Sequence, residues 1–159
     1  VAAHTAIVEN SLYGADMLFV CAILNSLCFD WLARFRIVKH LTFTVLKSLP
    51  IPCLKSGDPV FDALVPLAAR LTCTRVEFAD LWRDVMGSAW DESSGVTDAA
   101  ARQAVRDEID ARVAHLYGLT RAEFDHILGT FPLVFPDTDA GRSRRAGLLA
   151  AYDRVPPHP

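Results

Sequence analysis

Ile23-Leu-Asn-Ser-Leu-Cys-Phe-Asp-Trp-Leu-Ala-Arg-Phe-Arg36 is the stretch on which the reading of the fold turns. It closes a longer run in which Leu18, Cys21, Leu24 or Asn25, Cys28, Trp31, Leu32 and Phe35 recur at helical spacing. Phe19, Val20, Ile23 and Leu27 add apolar side chains around most of the circumference. A helix apolar on nearly every side is normally buried on several of them. Asp16 is placed to cap its start. The expected element is one central helix from Asp16 to Phe35. Asn25 and Ser26 inside it need partners, because an unpaired buried polar group costs about 1–3 kcal/mol. The Asn25 amide is expected to pin a neighbouring loop rather than to read a base.

Upstream, Val1 to Tyr13 is light in charge, and Thr5, Ile7 and Val8 suit a short strand before the turn signals Asn10-Ser11 and Gly14. Such a strand would be an unpaired edge and would support self-association. Downstream, Arg34, Arg36, Lys39 and His40 gather where the central helix ends. Cations there complement the helix dipole, and they are also the densest cationic group of the first half, able to meet a phosphate. Leu41, Phe43 and Val45 alternate, as in a short strand running into a helical turn. Pro50 to Gly57 is the clearest boundary, since Pro50 and Pro52 lack an N–H and hold their neighbours extended.

The second half reads as helices with locally written ends. Asp58-Pro59 opens one whose stripe is Phe61, Leu64, Val65, Ala68 and Leu71, with a kink or a split expected at Pro66. Thr74 and Glu77 have capping-box spacing before Phe78, Leu81, Trp82 and Val85, and Gly87 closes that helix. Thr97 or Asp98 opens the longest helix, and Gly118 stops it in left-handed geometry. Thr120 and Glu123 form a second capping box, so a tight helical hairpin is expected from Ile109 to Phe131. Phe131 to Pro136 is expected to be extended, and Arg142 to Tyr152 to form a last helix.

Composition narrows the function classes. With 159 residues the chain can bury a core, and 52% hydrophobic with 22% charged residues is ordinary for a globular protein. A formal net charge of −3 supplies no global field for nucleic acid, so any DNA role must use a local patch. The apolar run from Met17 to Cys28 is interrupted by Asn25 and Ser26 and is shorter than the roughly 20 residues a spanning helix needs, so no membrane role is expected. Cys21, Cys28, Cys53 and Cys73 make no C-x-x-C pair. They are read as reduced thiols in a cytoplasmic protein rather than as metal ligands. The chain begins at Val1 without a signal-peptide pattern and is read as a piece of a longer polypeptide. No P-loop, Gly-rich nucleotide turn or N/D-P-P-Y/F loop is present, so no catalytic, cofactor or metal residue is assigned.

Two blocks carry a family likeness. The first runs from Thr5 to Pro52 and includes Leu24-Asn-Ser26, Phe29-Asp-Trp-Leu32, Arg34, Leu41-Thr-Phe43 and Leu49-Pro-Ile-Pro52. The second runs from Val105 to Phe131, with His115-Leu-Tyr-Gly-Leu-Thr120 at its centre, and continues in Arg142-Ser-Arg-Arg-Ala-Gly-Leu-Leu-Ala-Ala-Tyr-Asp153. Together they resemble the end of the target-recognition region and the helical tail of bacterial restriction-modification DNA methyltransferases, over about two-thirds of the chain. The resemblance implies a parent enzyme that uses S-adenosylmethionine and binds DNA through methylase and recognition domains lying outside this sequence. It implies no activity here, because the motifs for methyl transfer are missing.

The expected fold is therefore mainly α with a small β element, a helical core with one edge strand or hairpin near the N-terminus. Residues 1–52 are read as the end of a DNA-specificity domain and 58–155 as a C-terminal helical domain. The expected function is a non-catalytic part of such a methyltransferase that contributes to target recognition and scaffolding, with Arg34, Arg36, Lys39 and His40 as DNA contacts. The alternative is a structural helical module that docks on other proteins and touches no DNA.

Overall fold

Ser26, placed in the middle of the apolar run, starts a helix instead of sitting inside one. A computed structural model describes residues 14–37 and 40–158. In it the central helix is two: α1, Gly14–Leu24, and α2, Leu27–Arg34, bent by 65° at the break. The Ser26 hydroxyl accepts from the Phe29 N–H at 3.2 Å and donates to the Ile23 carbonyl at 2.8 Å, capping one helix and closing the other. Asn25 donates to the Cys21 carbonyl at 2.8 Å, so its amide serves its own helix end and not a neighbouring loop. Asp16 lies inside the first turn of α1 and does not cap it.

The short strand expected at Leu41 to Val45 is also helical. Thr42 is extended, its hydroxyl accepts from the Val45 N–H, and α3, Phe43–Lys47, follows. Local capping by threonine outcompetes the alternating pattern here, because no neighbouring strand among the described residues offers a ladder. The strand expected at Thr5 to Val8 lies outside the described residues. The fold among the described residues is thus mainly helical.

Beyond the irregular connection at 50–57, which ends in a turn closed by the Asp58 N–H on the Lys55 carbonyl, Asp58 caps α4, Pro59–Thr72, through the N–H groups of Val60 and Phe61. This helix passes through Pro66 without the expected split. Burial of Leu64, Val65, Leu67 and Ala68 around Pro66 outweighs the roughly 3 kcal/mol cost of an internal proline. A 3-10 turn, Val76–Phe78, leads into α5, Ala79–Met86, so the expected Thr74–Glu77 capping box does not form. Gly87 closes α5 at φ 69 as expected.

Asp98 caps α6, Ala99–Leu116. At its end Gly118 has φ 68. The Leu119 N–H reaches the Ala114 carbonyl at 3.0 Å and the Gly118 N–H reaches that of His115 at 2.9 Å, the paired bonds of a Schellman stop. Both halves of the Thr120–Glu123 capping box are present at the start of α7, Arg121–Gly129. The stretch after it is a tight turn and not extended, because the N–H groups of Val134 and Phe135 both bond back to the Phe131 carbonyl. Then α8, Asp139–Arg154, capped by Thr138, is the last helix among the described residues.

One hydrophobic core runs through these elements. α1 packs on α4, α4 on α6, and α6 on α8, while α2 lies across α6 and α7. Ile23, Leu64, Val113, Phe124, Leu128 and Leu148 are its most enclosed side chains, and Phe19 stacks on Phe61 at 5.0 Å. No single helix among the described residues is long and apolar enough to cross a membrane.

Candidate nucleic-acid interface

Helix α2 presents its C-terminal end at the surface while Cys28, Phe29 and Ala33 hold the rest in the core. Three of the four cations expected to form a patch are described there. Arg34 is half exposed; its Nη2 lies 2.7 Å from Asp30 Oδ2, and its guanidinium sits 4.1 Å from the centre of the Phe131 ring. That fixes the side chain but shares its charge with a carboxylate. Arg36 and His40 are exposed and have no ion-pair partner among the described residues. Lys39 lies outside the described residues. Among the described residues Arg36 and His40 are therefore unpaired basic side chains, with Arg34 as a positioned cation.

Phe35 departs from its reading as a core residue. It is 70% exposed, set between the two arginines, and meets Trp31 edge to face at 4.7 Å. Spacing alone puts it one turn from Trp31, but the chain turns at its own position, where it is the C-cap of α2. The signal available in the sequence was its place between Arg34 and Arg36, since an arginine on each side places a residue near solvent.

The Arg142 to Arg145 run does not form a second patch. Arg142 pairs with Asp137 and Asp139, Arg144 with Asp107, and Arg145 with Asp125 at 2.6 Å. Each guanidinium is matched by a carboxylate, so the run braces α8 against its neighbours and carries little free charge.

A cleft of about 480 Å³ lies behind the Asn25–Ser26 break, floored by α6 and bordered by α4, Val134 and Arg144. At its base is Asp110, buried, whose Oδ1 accepts the Leu27 N–H at 2.8 Å. Burial pushes its carboxyl up to about 7; the Leu27 N–H pulls the other way, Asp107 raises it, and Arg144 and Arg106 lower it. A perturbed carboxyl in a cleft is one signature of a reactive site, but structural networks give it too. Here Asp110 completes the N-terminal turn of α2. The cations around it are committed as well: Arg102 donates to the Leu71 and Val96 carbonyls at 3.1 and 2.6 Å, and Arg144 holds Asp107. The cleft is thus a joint whose buried polar groups are already paired, with Arg106 at its exposed rim.

Other polar groups are equally occupied. His115 stacks on Tyr152 at 3.9 Å, with Nε2 3.0 Å from the Tyr152 carbonyl. Cys28 and Cys73 are buried with their thiols pushed up by that burial, whereas Cys21, expected in the core, is exposed. No cluster of three or more His, Cys, Asp or Glu side chains that could hold a metal ion occurs among the described residues. No family model, curated protein or solved structure matches this chain.

Proposed function

We propose that the chain is a non-catalytic C-terminal part of a restriction-modification DNA methyltransferase, contributing to DNA target recognition and scaffolding. One observation carries this reading. The two stretches that bear the family resemblance, far apart in sequence, pack against each other as one unit. Asp110 accepts from Leu27, the Tyr117 hydroxyl donates to the Pro50 carbonyl at 2.8 Å, and Arg34 covers Phe131. The tail thereby fixes the direction in which the end of α2 faces. In this reading Arg36 and His40, with Arg34 and with Lys39 as the fourth expected contact, meet DNA phosphates and position the duplex without reading its sequence. The parent's cofactor is S-adenosylmethionine, and no residue of this chain is assigned to it.

A helical docking module without DNA contact is the second reading. Leu133, 98% exposed, and the exposed Phe43 favour it, as do the internally paired arginines. Fluorescence anisotropy of the full chain with a labelled duplex separates the two. Weak, salt-sensitive and nearly sequence-independent binding supports the proposal. A folded chain that binds no duplex at 50 mM salt and self-associates supports the second reading.

A further inference from the structure

The two aromatic rings at the end of α2 make a surface of a particular chemistry. Trp31 and Phe35 meet at 4.7 Å with an interplanar angle of 78°, so each ring holds the other in place while Phe35 keeps most of its surface in solvent. Trp31 also lines a shallow hollow of about 350 Å³, walled by Leu119, Ala122, His126 and Ile127. Glu123, the acidic residue at that hollow, is engaged in capping Thr120 through its N–H and hydroxyl, each within 2.8 Å. Two arginines adjoin Phe35 in sequence: Arg34, its guanidinium drawn onto Asp30 and Phe131, and Arg36, exposed and with no ion-pair partner among the described residues. An exposed aromatic ring next to an unpaired arginine is a combination by which proteins hold a nucleic-acid strand away from its duplex, with a phosphate on the charge and a base on the ring.

We propose that Phe35, backed by Trp31, is a stacking platform for an unpaired nucleobase of the DNA whose phosphates meet Arg36. This rests on the DNA-binding reading above and adds to it a contact with a base face. A partner protein's apolar side chain could also cover Phe35, but it would gain nothing from the unpaired arginine next to it; a polyanion with π faces uses both. The contact is sequence-tolerant, because every base has such a face.

The test uses the full chain and two probes, a labelled single-stranded oligonucleotide and the duplex of the same sequence. The wild-type chain is expected to hold the single strand more tightly. Phe35→Ala and Phe35→Leu should each weaken single-strand binding by roughly tenfold, because base–aromatic stacking is typically worth that much. Phe35→Trp should restore it. The salt slope should be the same in all three variants, since no phosphate contact is removed, whereas Arg36→Ala should flatten it by about 0.7 on single strands. A leucine variant that binds as well as the wild type overturns stacking in favour of plain apolar contact. An alanine variant that binds normally while Arg36→Ala weakens binding overturns the platform and leaves the phosphate reading standing. A chain that binds neither probe at low salt overturns both.

Discussion

The main-chain N–H of Leu27 donates to Asp110 Oδ1 at 2.8 Å and so joins the first turn of α2 to the middle of α6 across 83 residues of sequence. The bond satisfies one of the N–H groups that a helix start leaves without an internal partner. It also explains how a buried carboxyl is tolerated under the break between α1 and α2. Asp110→Ala should leave that N–H unpaired in the core and destabilise by about 1–3 kcal/mol. Asp110→Asn keeps an acceptor and should cost far less. Chemical denaturation at pH 7 compares the two; equal losses would remove the bond from the account.

The same carboxyl predicts a pH dependence. It titrates near 7 in the fold and near 4 when unfolded. Between those values the native state holds a proton that the unfolded state has released. Stability should therefore be greatest at the acid end, fall as pH rises from about 4 to about 7, and level off above. The groups facing Asp110 are Asp107 and Arg106 on its own helix, Arg144 from α8 and Cys28 from α2. Melting temperatures across that range should show the decline in the wild type and its loss in Asp110→Asn. A wild-type profile rising from pH 4 to 7 contradicts it.

Two glycines of α8 should respond in opposite directions. A Cβ at Gly141 would run into the Pro136 carbonyl, while one at Gly147 meets nothing within 4 Å. Gly141→Ala should be clearly destabilising because the clash is with backbone. Gly147→Ala, on an exposed stretch of the helix, should stabilise by roughly 0.5–1 kcal/mol. A Gly141→Ala variant that melts no lower than the wild type refutes the close approach to Pro136, and a Gly147→Ala variant that melts lower refutes the open site on α8.

At Gly118 the left-handed backbone, φ 68, is what permits the stop between α6 and α7. Nothing crowds the site, so Gly118→Ala should lose about 1 kcal/mol through backbone strain alone, and Gly118→Val more. A valine variant with an unchanged melting temperature would show that the turn can be made another way.

Most helix ends written by adjacent residues were legible, although Asp16 and the Thr74–Glu77 pair do not cap as their spacing implies. Asp58-Pro59, Asp98, Gly118 and the Thr120–Glu123 box all do in the fold what their spacing implies. The errors fall where a remote partner or a competing local bond decides. The apolar run through Asn25 and Ser26 reads as one helix because the carboxylate that supports the break is on α6, far along the chain. Phe131 to Pro136 reads as extended because of its prolines, yet two N–H groups between them fold back on one carbonyl. The cationic cluster at the end of α2 was visible, but the pairing of Arg34 with Asp30 and Phe131 depends on packing that periodicity does not encode. Phe35 was hidden for a related reason, since helical spacing continues past the residue at which the helix actually ends.

The central claim is that the end of α2 meets DNA phosphates, and the salt dependence of duplex binding tests it most directly. Arg34 and Arg36 are exposed, and because Arg34 also covers Phe131 the melting temperature of the double alanine variant is measured first, with binding read only where it is folded. The log–log slope of affinity against salt for the wild type should be negative by about 0.9 for each phosphate neutralised, and the double variant should be flatter by close to two units. Binding that survives in the double variant with its slope unchanged would contradict the claim and take these residues out of the interface.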